Sequence, residues 1–332
     1  MNKFKFYFIG LMATATLFSC QQEDTTSTPV PLKDYETQYN AELKIIDTYL
    51  NTHYITVITN SGEQIDKNVT ISKITDATTQ VPIKSYENNS GDTYPQLKSS
   101  VVNQHGFNYK LYYLIIRPGS KNPTTNRGGE SPCNTDSVLA AYSGSYLKET
   151  STTEGTSVSA TFFEDSKYPE RFTSLMGVIK GWSEVFPQFK TGWFSGDDNN
   201  GKISYFDFGA GVMFIPSGLA YYNLGAGSIP SYSPLVFSFK LYEIERVDTD
   251  GDGIFNYLED LDADNYMYSF VNTTNYPKYP DDSTIDWYKD DTDRDGIPNF
   301  LDIDDDGDNY STKFEIAAGS DPLDKLSTPK NL

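Results

Sequence analysis

A twelve-residue acidic pattern occurs twice near the C-terminus, and nothing else in the sequence limits local conformation as much. Asp248-Thr-Asp250-Gly-Asp252-Gly253-Ile-Phe-Asn256-Tyr-Leu-Glu259 recurs 43 residues later as Asp291-Thr-Asp293-Arg-Asp295-Gly296-Ile-Pro-Asn299-Phe-Leu-Asp302, identical at eight of twelve positions. Carboxylates at positions 1, 3, 5 and 12 repel one another. Such a segment either stays solvated or folds compactly around a cation. Hard oxygen ligands at this spacing suit one Ca²⁺, and the glycine at position 6 permits the turn that gathers them.

A third cluster, Asp302-Ile-Asp304-Asp305-Asp306-Gly307-Asp308, fits either of two overlapping loops, the later one closing on Glu315. Asp260, Asp262 and Asp264 look like the same follow-on cluster after the first loop, interrupted by Tyr266 to Lys289. The expected ligands are Asp248, Asp250, Asp252, Glu259, Asp291, Asp293, Asp295, Asp302, Asp304, Asp306, Asp308 and Glu315. Pro298 lacks the backbone N–H that paired EF-hands use at loop position 8. The module is therefore more similar to the thrombospondin type 3 calcium repeats of secreted and surface proteins. That resemblance implies a structural Ca²⁺ module with dissociation constants on the order of 10⁻⁴ to 10⁻³ M.

Charge divides the chain at Val247/Asp248. Residues 248–332 hold 22 acids against 6 bases, whereas the other 247 residues hold 24 against 20. An overall net charge of −20 repels phosphates and excludes nucleic acid as a partner. Two cysteines make no disulfide framework, and two histidines leave little for zinc.

At the other end, Lys3 and Lys5 precede an apolar run from Phe6 to Leu17, too short to span a bilayer. The run closes on Leu17-Phe18-Ser19-Cys20, which resembles a bacterial lipobox, so residues 1–19 read as a lipoprotein signal and Cys20 as the lipidated residue. Gln21-Gln-Glu-Asp24 resembles the acidic signal that sends lipoproteins of the Bacteroidetes type to the outer face of the outer membrane. The expected location is therefore the outer membrane through lipid, with the leaflet open between the cell surface, which that signal favours, and the periplasmic face. Cys133 is expected to be a structural thiol.

Residues 20–33 read as a tether and 34–107 as an N-terminal extension. Within the extension, Tyr39, Leu43, Ile46, Tyr49, Leu50 and His53 recur at three- and four-residue spacing and predict an amphipathic helix with a packed His53. Val69 to Ile74 is strand-like. Farther on, short apolar runs between Gly, Pro and Asn predict strands at 110–117, 137–146, 157–163, 203–208, 211–215 and 235–245, with one short helix around Trp182 to Phe189. This pattern predicts an α+β fold, an antiparallel sheet wrapped on a short helix, spanning 108–246. Residues 247–332 complete the chain as the calcium-loop module.

Several segments in this region carry a more specific resemblance. Ala141-Tyr-Ser-Gly144, Thr161-Phe-Phe-Glu-Asp-Ser166, Gly177-Val-Ile-Lys-Gly-Trp182, Ile215-Pro-Ser-Gly-Leu-Ala-Tyr221, Ile229-Pro230 and Leu235-Val-Phe-Ser-Phe239 follow in that order. The series resembles the FK506-binding-protein (FKBP) family of peptidyl-prolyl isomerases. The resemblance implies a proline pocket with Trp182 as floor and Tyr142, Phe163, Phe172, Val178, Ile229 and Phe237 as walls. Tyr221 and the Ile179 N–H would bond substrate carbonyls, and Glu164 or Asp165 would supply the pocket's acid. No cofactor is needed for catalysis.

Departures from the family pattern are the Glu164-Asp165 pair in place of a single Asp, a short segment from Phe172 to Val178, an insertion at 192–201, and Tyr222 in place of a glycine. The function expected is prolyl isomerisation on the cell envelope, assisting exported proteins through their proline-containing segments. The alternative is a non-catalytic adaptor or subunit of an outer-membrane secretion or assembly complex. A stalked adhesin is a third reading.

Overall fold

The computed structural model describes residues 30–153, 155–196, 203–268 and 288–329. The signal, Cys20 and most of the tether lie outside the described residues. Helix α1 (Tyr35–Thr52) starts where Asp34 accepts a hydrogen bond from Thr37 N at 2.8 Å, and turns Tyr39, Ile46, Tyr49 and Leu50 inward. His53 opens the hairpin of β1 (His53–Val57) and β2 (Val69–Lys73), buried with its ring stacked on Tyr49. Both histidines are packed, since His105 stacks on Tyr35 and shares a hydrogen bond with the Tyr109 hydroxyl.

Strands β3 (Gln96–Gln104), β4 (Phe107–Arg117), β5 (Ser137–Thr152), β6 (Gly155–Ser166) and β7 (Thr173–Ser174) follow. Next come α2 (Lys180–Val185), the small hairpin β8 (Trp193–Phe194) with β9 (Tyr205–Phe206), then β10 (Gly209–Ile215) and β11 (Leu235–Glu245). The main sheet is antiparallel throughout, in the order β3-β4-β10-β11-β5-β6, with β7 added along β5. Strand β3 lies on the extension's side of Phe107 yet pairs with β4 over nine residue pairs, so extension and sheet share one hydrogen-bonded layer.

Central strand β10 is buried at every position because both faces of the sheet are covered. On one face Met213 and Ile215 join Leu235, Phe237 and Phe239 beneath Trp182, Val185 and Phe186 of the α2 region. On the other, Val212, Phe214 and Val236 meet Ile46, Tyr49 and Leu50 of α1. The short helix expected inside the sheet's curve is thus joined by a longer one on its outer face. Helix α2 gives way at Phe186 to a 3₁₀ turn because Pro187 has no N–H for the next helical bond. Residue Gly181 lets the helix seat closely, since a β-carbon there would lie 2.5 Å from Ile215 Cγ2.

One strand expectation changes. Of the strand expected over 203–208 only Tyr205–Phe206 forms, paired with Trp193–Phe194 outside the main sheet, where Trp193 stacks on Phe206 at 4.3 Å. Among its described residues the acidic segment is non-helical apart from 3₁₀ turns and α3 (Thr312–Ala318), which Ser311 caps by accepting from Phe314 N. Among the described residues no helix is long and apolar enough to cross a membrane.

Candidate functional site

Where the sheet curls over α2 it leaves an open cleft of about 510 Å³ lined by Tyr142, Glu164, Val178, Ile179, Trp182, Tyr221 and Phe237, with Thr173, Gly177, Lys180 and Ala220 at its margins. Trp182 lies 5.0 Å from Tyr142 and 5.3 Å from Phe237, both nearly perpendicular to it. This edge-to-face arrangement fixes three rings as floor and walls. The Trp182 indole N–H is buried without a hydrogen-bond partner. Ile179 precedes α2 as its N-cap, so its N–H is one of those a helix start leaves without an intrahelical acceptor.

Of the eleven residues expected at the site, seven line this cleft. Phe163 stands behind Phe237 at 5.5 Å, and Ile229 is buried in the same core, so both back the wall. Phe172 is left outside, 38% exposed, because Thr173 and Ser174 pair with Val138 and Ser137 at the start of β5. The two candidate acids separate by strand alternation. Glu164 accepts a hydrogen bond from the Tyr142 hydroxyl at 3.4 Å, whereas Asp165 turns away to pair with Lys167 at 3.1 Å. Burial, with the Glu164 charge added, pushes the Tyr142 and Tyr221 phenols above their ordinary range, so both remain hydroxyl donors at neutral pH.

Support for the cleft comes from residues that sequence reasoning did not place there. Glu42 of α1, 1% exposed, accepts hydrogen bonds from Ser217 N at 2.7 Å, Ser217 Oγ at 2.5 Å and Gln38 Nε2 at 2.7 Å. Ser217 opens the turn that leads to Tyr221, so a carboxylate from the extension anchors that wall. Its only sequence signal is an acid in register with the apolar stripe of Tyr39, Leu43 and Ile46. Tyr222 adopts φ +45°, a conformation that costs a bulky residue about 1–3 kcal/mol. Its ring stacks on Tyr35 at 4.1 Å and its hydroxyl donates to Lys33 O at 2.7 Å, tying the same turn to the start of α1.

The acidic segment reaches α2. Lys180 pairs with Glu184 at 2.8 Å and donates to the Tyr266 hydroxyl, which itself donates to Glu184 at 2.7 Å. Cys133 is fully buried with Met267 and Phe300, and burial pushes its thiol up to about 12. Its environment is that of an inert structural residue.

Within that segment the expected acids converge by loops. Asp248, Asp250 and Asp252 form one group, Asp291, Asp293 and Asp295 a second, and Asp304, Asp306 and Asp308 a third, each with one oxygen per residue inside 4.8 Å. Asp302 and Glu315 sit close enough to the second and third groups to feel their charge. Two further groups include residues outside the expected set, Asp260 with Asp262 and Asp290, and Asp305 with Asp252 and Glu259. Backbone N–H groups tie down both oxygens of the first acid in the loop, Asp248 Oδ1 accepting from Gly251 and Oδ2 from Gly253, and one oxygen of the later acid, Asp252 Oδ1 accepting from Ile254. Buried second oxygens of Asp250, Asp252, Asp306 and Glu315 have no hydrogen-bond partner. Orphaned carboxylate oxygens on this scale fit a hard divalent cation.

Residues 249–326 match a family model described as BamM C-terminal. A curated relative, the FKBP-type peptidyl-prolyl cis-trans isomerase FkpA of Aeromonas hydrophila, is 36% identical over 124 residues, which is 37% of this chain and 37% of that protein. The chain thus spans little more than a third of the relative it matches, and over that stretch it is homologous to an FKBP-type isomerase. A solved peptidyl-prolyl isomerase from Pseudomonas syringae pv. tomato aligns over 41% of this chain and 76% of its own, at 23% identity and TM-score 0.28. FkpA from Escherichia coli aligns over 49% and 55%, at 24% identity and TM-score 0.30.

Proposed function

We propose that the protein is a peptidyl-prolyl cis-trans isomerase of the cell envelope that assists folding of exported proteins, held at the outer membrane by lipid on Cys20. The observation that carries this reading is the cleft itself. Trp182, Tyr142 and Phe237 give it an aromatic floor and walls on which a proline ring can pack, with Tyr221 and Glu164 as polar groups on its lining. Homology to FKBP-type isomerases supports it.

The chemistry requires no nucleophile. Rotation about a prolyl amide faces a barrier of roughly 18–20 kcal/mol because the planar amide loses resonance. The twisted amide is less polar than the planar one, so a water-poor aromatic cavity favours it. Lowering the barrier by about 4 kcal/mol accelerates the reaction about a thousandfold. In this chain Trp182, Tyr142 and Phe237 take the proline ring, and the Tyr221 hydroxyl and Ile179 N–H bond substrate carbonyls. Glu164 holds the Tyr142 hydroxyl in place. A protease-coupled assay on an Xaa-Pro peptide tests the reading. Cis-to-trans rates above the uncatalysed rate at micromolar protein support it, and an unchanged rate overturns it.

A second reading, a non-catalytic subunit of an outer-membrane assembly complex, is favoured by the match of residues 249–326 to the BamM C-terminal model. Affinity purification from membranes distinguishes them, since a stoichiometric complex without isomerase activity supports only the second. In either case the acidic loops take up Ca²⁺ as a structural ion, a reading that rests on their register and their orphaned oxygens.

A further inference from the structure

The regular positions of the acidic loops account for their ligands, and Asp305 belongs to none of them. In the loops that begin at Asp248 and Asp291, the second residue is a threonine clasped by the asparagine at position 9. Thr249 N donates to Asn256 Oδ1 at 2.9 Å and Asn256 Nδ2 returns a bond to Thr249 Oγ1 at 2.8 Å; Thr292 and Asn299 repeat this at 2.9 Å in both directions. In the loop that begins at Asp304 the corresponding pair is Asp305 and Thr312. Asp305 N donates to Thr312 Oγ1 at 3.2 Å, and that single bond closes the clasp. The Asp305 carboxylate is left over.

It is buried and directed at the first loop. Asp305 is 1% and Glu259 2% exposed, and one oxygen of each lies within 4.8 Å of the others and of one from Asp252. Neither Asp305 oxygen and neither Glu259 oxygen has a hydrogen-bond partner, and the same holds for Oδ2 of Asp250 and of Asp252. The neighbouring Lys313 gives its ammonium to Gly251 O at 2.8 Å. Ionised carboxylates taken out of water cost several kcal/mol each unless paired or bound to metal. Three buried carboxylates that converge here, each with an oxygen no hydrogen bond occupies, suit Ca²⁺ and exceed the one or two carboxylates that Mg²⁺ uses.

We propose that Asp305, with Asp252 and Glu259, completes a divalent-cation site through which one ion clamps the first acidic loop to the last. This rests on the reading of the loops as calcium-binding. The ion then fixes tertiary structure between segments far apart in sequence, beyond shaping one turn.

Calcium chloride titrated into the full chain by calorimetry, with hydrogen exchange followed in parallel, tests this. Asp305→Asn should weaken one calcium equivalent at least about tenfold. It should also abolish the calcium-induced protection of 248–259 while that of 291–302 persists. Asp293→Asn should do the reverse. A titration indistinguishable from wild type overturns the proposal. If wild type itself takes up no calcium, the reading of the loops fails, and the clamp with it.

Discussion

Replacing Glu42 tests whether the N-terminal extension is part of the catalytic structure. Its carboxylate accepts three hydrogen bonds, two of them from Ser217, across 175 residues of sequence. Glu42→Ala strips a buried backbone N–H and a buried hydroxyl of their acceptor. At about 1–3 kcal/mol for each unsatisfied group, the expected loss is roughly 2–6 kcal/mol, with the cavity adding to it. Glu42→Gln costs less, about 1–3 kcal/mol, because its amide oxygen keeps Ser217 N–H and the Ser217 hydroxyl rotates to accept from the amide nitrogen.

Ser217 leads into Tyr221, so both variants should lower kcat/KM in the protease-coupled assay, Glu42→Ala by tenfold or more, even where denaturant curves show the protein folded. Ile46→Val is the control. It lies on the same helix but in the core on the sheet's outer face, and should cost about 1 kcal/mol while leaving activity unchanged.

The pH dependence has a definite sign. Burial raises the Glu42 carboxyl above its ordinary value against the opposing pull of the Ser217 and Gln38 hydrogen bonds. The folded state therefore holds this proton more tightly than the unfolded one. Its contribution to stability is present below the unfolded value of 4.5 and is lost as pH rises through the folded one. In Glu42→Gln that slope should vanish. Full activity of Glu42→Ala at unchanged stability would refute the reasoning, because the turn before Tyr221 would then hold without the extension.

Other consequences follow from the same contacts. Glu164→Gln should slow isomerisation and Asp165→Asn should not, since only Glu164 faces the cleft; equal effects in the coupled assay would contradict the placement. Gly144→Ala sets a β-carbon 2.5 Å from Phe163 Cζ and 2.7 Å from Phe237 Cε1, an overpacking that should cost about 1–3 kcal/mol in denaturant titrations and misplace the wall. Cys133 should resist iodoacetamide in the native protein at pH 8 and react fully only on unfolding, as mass spectrometry would record.

Much of the sheet was legible because strand signals are local. The runs at 110–117, 211–215 and 235–245 carry their own apolar patterns and bounding turn residues. The 3.6-residue period of α1 is equally self-contained. Less legible was anything decided by a partner. The pairing of β3 with β4 was hidden because Gln96–Gln104 is mixed in polarity and gains its place from the neighbour's hydrogen bonds. Phe172 looked like a wall residue by order in the chain, but two residues pairing with β5 turned it out of the cleft. Glu164 and Asp165 were indistinguishable by type, and alternation along β6 separated them.

The sequence by itself determined the loops' register, the split of charge at Asp248 and the order of the aromatic segments, because each depends on residue types at short spacing. The tertiary structure alone decided that Glu42 braces the Tyr221 turn, that Tyr266 joins α2, and that Asp305 leaves its own loop to meet Glu259. Those contacts join residues far apart in the chain. The gain comes from satisfying polar groups that burial has cut off from water, and that depends on which surfaces meet in the folded protein.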